Sequence, residues 1–173
     1  MSKIAVVFWT GTGNTSTMAT AVVEGIKEAG AEAELIAAAD FGAAKVKEYD
    51  GIAFGCPAMG DEVLEESEFA PMFDECKPEL PGKKVALFGS YGWGTGEWME
   101  TMFVSNQLGL YITGAWLMAD LNTYGINYGV TTLIETPEGG KQAPSNTQCF
   151  MVTSSASDEE ALAACKALGA ALV

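Results

Sequence analysis

Residues 10–15 of this 173-residue chain, Thr10-Gly11-Thr12-Gly13-Asn14-Thr15, place three hydroxyls, a carboxamide and two glycines in one short stretch. An apolar run, Ile4-Ala5-Val6-Val7-Phe8, ends just before them, and Met18, Val22, Ile26 and Ala29 recur at helical spacing just after. The stretch is therefore expected to be a strand-to-helix turn. At such a turn the free N–H groups of the first helical turn and the positive end of the helix dipole attract an anion, while Gly11 and Gly13 let the backbone approach it closely. The loop contains no Lys or Arg, so it cannot neutralise a triphosphate as a lysine-bearing phosphate loop does, and it does not spell G-x-G-x-x-G. A single phosphomonoester held by neutral donors fits best. The plain alternative is a Gly/Thr-rich turn capped by Asn or Thr that binds nothing.

Two later stretches carry further chemistry. Met59-Gly60-Asp61-Glu62 combines a soft apolar side chain, a flexible peptide and a carboxylate within four residues. Ser90-Tyr91-Gly92-Trp93-Gly94 presents two aromatics among glycines. Met59 and Trp93 among glycines and charges are poor candidates for core residues, and the two stretches together suit a flat ring held between side chains. For Glu62 the plain alternative is a solvated start of the next helix.

The elements that must position these loops alternate. Strands are expected at residues 4–8, 33–37, 51–55, 83–89, 111–118 and 149–153. Between them lie a first helix ending at Gly30, a short link over 40–49, a largely helical acidic segment over 63–76 broken or restarted near Pro71, and a helix over 97–107. A last helix bears Leu162, Cys165, Leu168 and Leu172 behind a capping box of Ser157 and Glu160. The third strand stops at Cys56-Pro57, because proline cannot donate to a sheet ladder. Residues from about 119 to 146 lose the pattern and read as an insertion rather than a domain. Alternation of this kind implies a single α/β domain over 1–173 with a parallel sheet covered on both faces and right-handed crossovers. Ligands of such sheets sit beyond the carboxyl ends of the strands at the switch point, where the loops after strands one, three and four would converge.

Composition narrows the function. A formal charge of −14 with only 9 Lys plus Arg disfavours nucleic acid and anionic membranes as partners and favours a basic protein. The absence of histidine excludes imidazole metal sites, Ser-His triads and Cys-His pairs. Cys56, Cys76, Cys149 and Cys165 show no C-x-x-C spacing and read as buried free thiols. No stretch reads as a signal peptide or a membrane span, so a cytoplasmic protein is expected.

The residue 10–15 loop, Cys56-Pro57-Ala58-Met59-Gly60-Asp61-Glu62 and Gly89-Ser90-Tyr91-Gly92-Trp93-Gly94 together resemble the three FMN-binding loops of flavodoxins, particularly the short-chain type of anaerobic bacteria. The resemblance covers most of residues 4–118 and resumes in the last helix. It implies a flavodoxin-like three-layer sandwich with a five-stranded parallel sheet in order 2-1-3-4-5 and helices on both faces. It further implies that Thr10, Gly11, Thr12, Gly13, Asn14 and Thr15 hold the FMN phosphate. Met59 would lie against one face of the isoalloxazine and Trp93 against the other, and Glu62 would accept the flavin N3–H. The peptide of Gly60 would turn to accept the N5–H of the one-electron-reduced ring, which a glycine permits at little steric cost. Pro57 stands where many flavodoxins have a hydroxyl.

The implied function is a low-potential one-electron carrier that shuttles between semiquinone and hydroquinone for basic redox partners, working as a monomer without a substrate of its own. With an effective dielectric of about 20, each like charge about 10 Å from the reduced ring costs about 1.7 kcal/mol, near 70 mV. An FMN-dependent quinone reductase of the same fold is the second reading, disfavoured because Met59 and Trp93 would cover both ring faces. A phospho-signalling receiver domain is disfavoured because the first strand ends in Trp9-Thr10 rather than in clustered acidic residues.

Overall fold

The computed structural model describes residues 1–80, 83–91, 98, 117–118, 127–131, 134–135, 149–152 and 158–173. β1 (Lys3–Phe8), β2 (Glu32–Ala37), β3 (Gly51–Gly55) and β4 (Lys84–Tyr91) form parallel pairs in the order β2-β1-β3-β4. Strands one, three and four are apolar on both sides because both faces are covered. Alternate residues feed two cores. Ala5, Val7, Ile52, Phe54, Val85 and Leu87 pack with Phe69, Met72, Phe73 and Leu80 on one face. Ile4, Val6, Ala53, Ala86 and Phe88 pack with Met18, Val22, Ile26, Cys165 and Leu168 on the other. The second set comes from α1 (Asn14–Glu28) and from α4 (Asp158–Ala171).

These two helices lie very close. A Cβ added at Gly25 would stand 2.0 Å from the Lys166 carbonyl oxygen, and one at Gly169 would stand 2.1 Å from that of Val22. The Lys166 ammonium then reaches Glu24 at 2.9 Å and Glu28 at 3.3 Å across the crossing. Ala29 is the C-cap of α1, and Gly30 behind it takes φ +90°, the left-handed conformation of a helix stop.

The acidic segment differs from the expected long helix. α3 covers only Phe69–Cys76, because Val63 is tied back to Met59 by two backbone hydrogen bonds of 2.9 Å, which holds residues 59–63 in a tight hairpin. Pro71 does not break α3. It falls in the first turn, where its missing N–H would have no helical partner anyway. The 40–49 link contains a 3₁₀ turn reaching Asp40 and the short α2 (Ala43–Val46).

β4 also runs further than expected. Ser90 and Tyr91, expected in a loop, are its last two residues, paired with Tyr128 and Asn127 of β6 (Asn127–Thr131). β6 and β7 (Ile134–Glu135) lie within the segment expected as an insertion, and both run antiparallel along the edge of β4. They satisfy backbone groups that an open edge would leave unpaired. β8 (Cys149–Val152) pairs antiparallel with β6, and β5 (Leu117–Met118), at the end of the expected 111–118 strand, pairs parallel with β8. The expected helix over 97–107 is described only at Trp98, which is helical and fully buried. Pro81, Gly82 and Ser157 lie outside the described residues.

Candidate functional site

The sheet order places β1 and β3 side by side, with their crossovers leaving in opposite directions along the sheet. A groove opens at the carboxyl ends of the strands there, as doubly wound sheets require. Its volume is about 300 Å³, and Thr10, Gly11, Thr12, Asn14, Thr15, Pro57, Ala58, Met59, Ser90 and Tyr91 line it. Three stretches separated by more than thirty residues thus meet at one place. Gly13, Gly60, Asp61 and Glu62 stand beside the lining residues in the same loops, and Gly92, Trp93 and Gly94 lie outside the described residues.

The first loop is built to leave donors unsatisfied. Gly13, not an Asn or Thr, is the N-cap of α1, at φ 101° and ψ −10°, and no side chain caps the helix. The Thr10 hydroxyl instead accepts the Gly13 N–H at 3.0 Å, which closes the turn on itself, and Asn14 Nδ2 donates to Thr12 Oγ1 at 3.4 Å. The indole of Trp9 sits under Gly11, where a Cβ would meet its ring at 3.3 Å. Among the described residues no side chain caps the first-turn amides of this 15-residue helix, whose Asn14 and Thr15 line the groove. That is the arrangement a phosphate requires, and the residues present fit one.

The second loop is a hairpin with two left-handed residues. Gly60 has φ +48° with no heavy atom within 4 Å of an added Cβ, and Glu62 has φ 55°. Glu62 is therefore no helix start: it is buried at the hairpin's end, while Gly60 and Asp61 are exposed at its tip. Met59 is half-buried and lines the groove. A left-handed residue without a glycine's freedom is uncommon and costs energy, so the hairpin is held by its surroundings.

What holds it was not legible as a motif. Cys56, at the end of β3, accepts the Glu65 N–H on its sulfur at 3.4 Å and the Trp98 indole N–H on its carbonyl at 2.8 Å. The Glu65 carboxylate then collects the amides of Ser67 at 2.8 Å, Glu68 at 2.9 Å and Phe69 at 2.8 Å, together with the Ser67 hydroxyl. Burial by itself raises the Glu65 carboxyl, but the Ser67 hydroxyl and the three amides outweigh it and bring it down to about 2. The base of the Met59 hairpin is thus pinned at both ends. Burial pushes the Cys56 thiol up to about 12, so it stays protonated. Cys76 and Cys165 are likewise buried, free and raised to about 12 by burial, as expected of core thiols.

In the third stretch, Ser90 and Tyr91 enter the groove from the end of a strand. The Ser90 carbonyl accepts the Ala58 N–H at 2.8 Å, and its hydroxyl lies 3.1 Å from that of Thr15. The Tyr91 ring leans on Trp98 at 4.9 Å between centroids and is almost wholly buried, so it is a wall as much as a contact surface. Among the described residues no group of His, Cys, Asp and Glu is placed to hold a metal ion, and no helix is long and apolar enough to cross a membrane.

The chain is similar to known proteins over the part that carries these three stretches. A family model described as Flavodoxin matches residues 6–109. The chain is 50% identical over 97 residues to a flavodoxin of Megasphaera elsdenii, which spans 56% of this chain and 71% of that protein. It is 51% identical over 95 residues to a flavodoxin of Clostridium beijerinckii, covering 55% of this chain and 69% of that one. The solution structure of the two-electron reduced Megasphaera elsdenii flavodoxin superimposes with a TM-score of 0.56 at 48% identity, over 58% of this chain and 73% of that one.

Proposed function

The chain belongs to the flavodoxin family and carries electrons on FMN, and from that premise we propose that the groove at the ends of β1, β3 and β4 is the FMN site. Thr10, Gly11, Thr12, Gly13, Asn14 and Thr15 hold the phosphate through amides and hydroxyls. Pro57, Ala58, Met59, Gly60, Asp61, Glu62, Ser90, Tyr91, Gly92, Trp93 and Gly94 form the rest of the site, Ser90 on the side of the phosphate loop, with Met59 and Trp93 on the two faces of the ring and the Glu62 carboxylate accepting a ring N–H. FMN supplies reversible one-electron chemistry. The protein anchors it, excludes water from its faces and sets the field around it.

The observation that carries this reading is the uncapped first turn of α1 opening into a groove lined by neutral donors. We further read the carrier as working at low potential, because the chain's charge of −14 opposes each added electron. Positively charged redox proteins are the partners that such a surface attracts, in a cytoplasm that keeps the buried thiols reduced, with the carrier itself a monomer. A single domain over 1–173, with residues 119–146 as an insertion along the edge of β4, completes the reading.

The test uses the FMN-free protein titrated with FMN and with riboflavin in phosphate-free buffer, followed by flavin fluorescence. Charge-assisted hydrogen bonds from several donors should make FMN bind at least tenfold more tightly than riboflavin, a difference of about 1.4 kcal/mol. Equal affinities, or no quenching by either, would refute the assignment. Anaerobic reductive titration of the FMN-loaded protein should then resolve two separate one-electron steps.

A further inference from the structure

Resting on the FMN reading, we propose that Ser90 is a positioning residue for the anion: its hydroxyl donates to Thr15 Oγ1 and so turns the Thr15 O–H toward the phosphate. The two oxygens lie 3.1 Å apart although 75 positions separate them in sequence. Both residues are more than nine-tenths buried, Thr15 at 1% exposure and Ser90 at 6%, and both line the groove.

Counting hydrogens carries the argument. The pair has two O–H groups and one hydrogen bond between them, so one hydrogen is left over whichever way the bond runs. Neither hydroxyl has another acceptor among the described residues. A buried donor left without an acceptor is costly, and here it faces a cavity rather than a core.

The neighbouring threonines show that Thr15 is exceptional. Thr17 and Thr20 spend their hydroxyls on the carbonyls one helical turn back, at Gly13 and Ser16, each at 3.1 Å. Thr15 lies in the first turn of α1, where no helical carbonyl precedes it, so its hydroxyl is free to serve a ligand. Thr15 is also the member of the pair that shares its turn with the open amides and the positive end of the dipole. Ser90 approaches from the end of β4, its carbonyl already committed to the Ala58 N–H at 2.8 Å. The favourable direction is therefore Ser90 O–H to Thr15 oxygen, then Thr15 O–H to the anion. Each donation makes the next oxygen's proton a better donor. Since Ser90 holds Ala58 through its backbone, changing its side chain isolates the hydroxyl's contribution.

The experiment measures FMN and riboflavin affinity for the FMN-free forms of wild type, S90A, T15V and T15V/S90A. S90A should weaken FMN binding about fivefold, the worth of one neutral hydrogen bond, and leave riboflavin within twofold. S90T, which restores the hydroxyl, should recover most of the loss, and S90C serves in the same comparison should S90A fail to fold. In the T15V background, S90A should have no further effect. Additive losses in the double variant would mean that Ser90 meets the phosphate directly and would overturn the relay. So would an equal loss for riboflavin, or no loss at all. Wild type binding FMN and riboflavin alike would defeat the phosphate reading itself and the relay with it, whereas a wild-type preference for FMN that S90A leaves intact defeats the relay alone.

Discussion

Glu65 offers a quantitative test of how the Met59 hairpin is held. Its carboxylate accepts from the Ser67 hydroxyl and from three consecutive amides, and sits at about 2 against an ordinary value of 4.5. At 1.36 kcal/mol per pH unit this corresponds to about 3 kcal/mol in favour of the folded state. Screening by solvent and by the surrounding charges removes part of that, so about half, roughly 1–2 kcal/mol, is the fair expectation. Because the folded-state value is lowered, the contribution is complete above pH 4.5 and fades as pH falls toward 2. Between pH 7 and pH 3 the wild-type protein should lose about 1 kcal/mol on account of this one carboxyl. Glu65→Gln keeps the shape and one acceptor oxygen but not the charge. Urea unfolding of the FMN-free protein should place E65Q about 1–2 kcal/mol below wild type at pH 7, with the difference shrinking by about 1 kcal/mol at pH 3. A difference that stays constant across that range would show that charge at Glu65 does not brace the hairpin.

Two other substitutions separate packing from backbone conformation. Gly25→Ala drives a methyl into the Lys166 carbonyl, 2.0 Å from the ideal Cβ, so α1 and α4 must part; a loss of about 3 kcal/mol and roughly 10 °C in thermal melting is expected, against about 1 kcal/mol for Gly30→Ala, whose Cβ meets nothing. Equal losses for the two would refute close helix contact at Gly25. Gly60→Ala also has open space for its Cβ, so only its φ of +48° is penalised, by about 1–2 kcal/mol; if the peptide at Gly60 adapts to the redox state of the ring, potentiometry of G60A should show the gap between the two one-electron potentials narrowed by about 40–90 mV, and an unchanged gap would remove Gly60 from that role.

Local rules were enough to read the first loop, since Thr10 to Thr15 follow a strand that is apolar on both faces and precede a helix of clear periodicity. The same rules misplaced residues that answer to distant partners. Val63 to Glu68 have helical composition, yet Val63 pairs with Met59 and Glu65 spends its carboxylate on the amides that start α3, so the helix waits until Phe69. Glutamate is not among the usual capping residues, which is why its position three to four residues before the helix gave no signal. Ser90 and Tyr91 have the look of a glycine-rich loop, but their backbones pair with β6, an element that lies in a stretch without readable periodicity. The support of the site by Cys56 and Trp98 spans 42 residues and left no trace in spacing.

The way the loop binds an anion bears on the protein's potential. A lysine among residues 10–15 would hold a phosphate more strongly, but about 10 Å from the ring it would also favour each added electron by about 1.7 kcal/mol at an effective dielectric of 20. In the proposed site, Gly13 at the N-cap, the hydroxyls of Thr10, Thr12 and Thr15, and the first-turn amides of α1 would gain affinity from dipoles that are neutral overall and whose field falls off faster with distance than that of a charge. The phosphate's own charge is then left largely uncompensated, in a chain that already carries −14. On the proposed reading, affinity for the cofactor and resistance to its reduction, which a cation would set against each other, would be served by the same six residues. The proposed relay from Ser90 through Thr15 would act in the same sense, because it would strengthen a donor without adding charge.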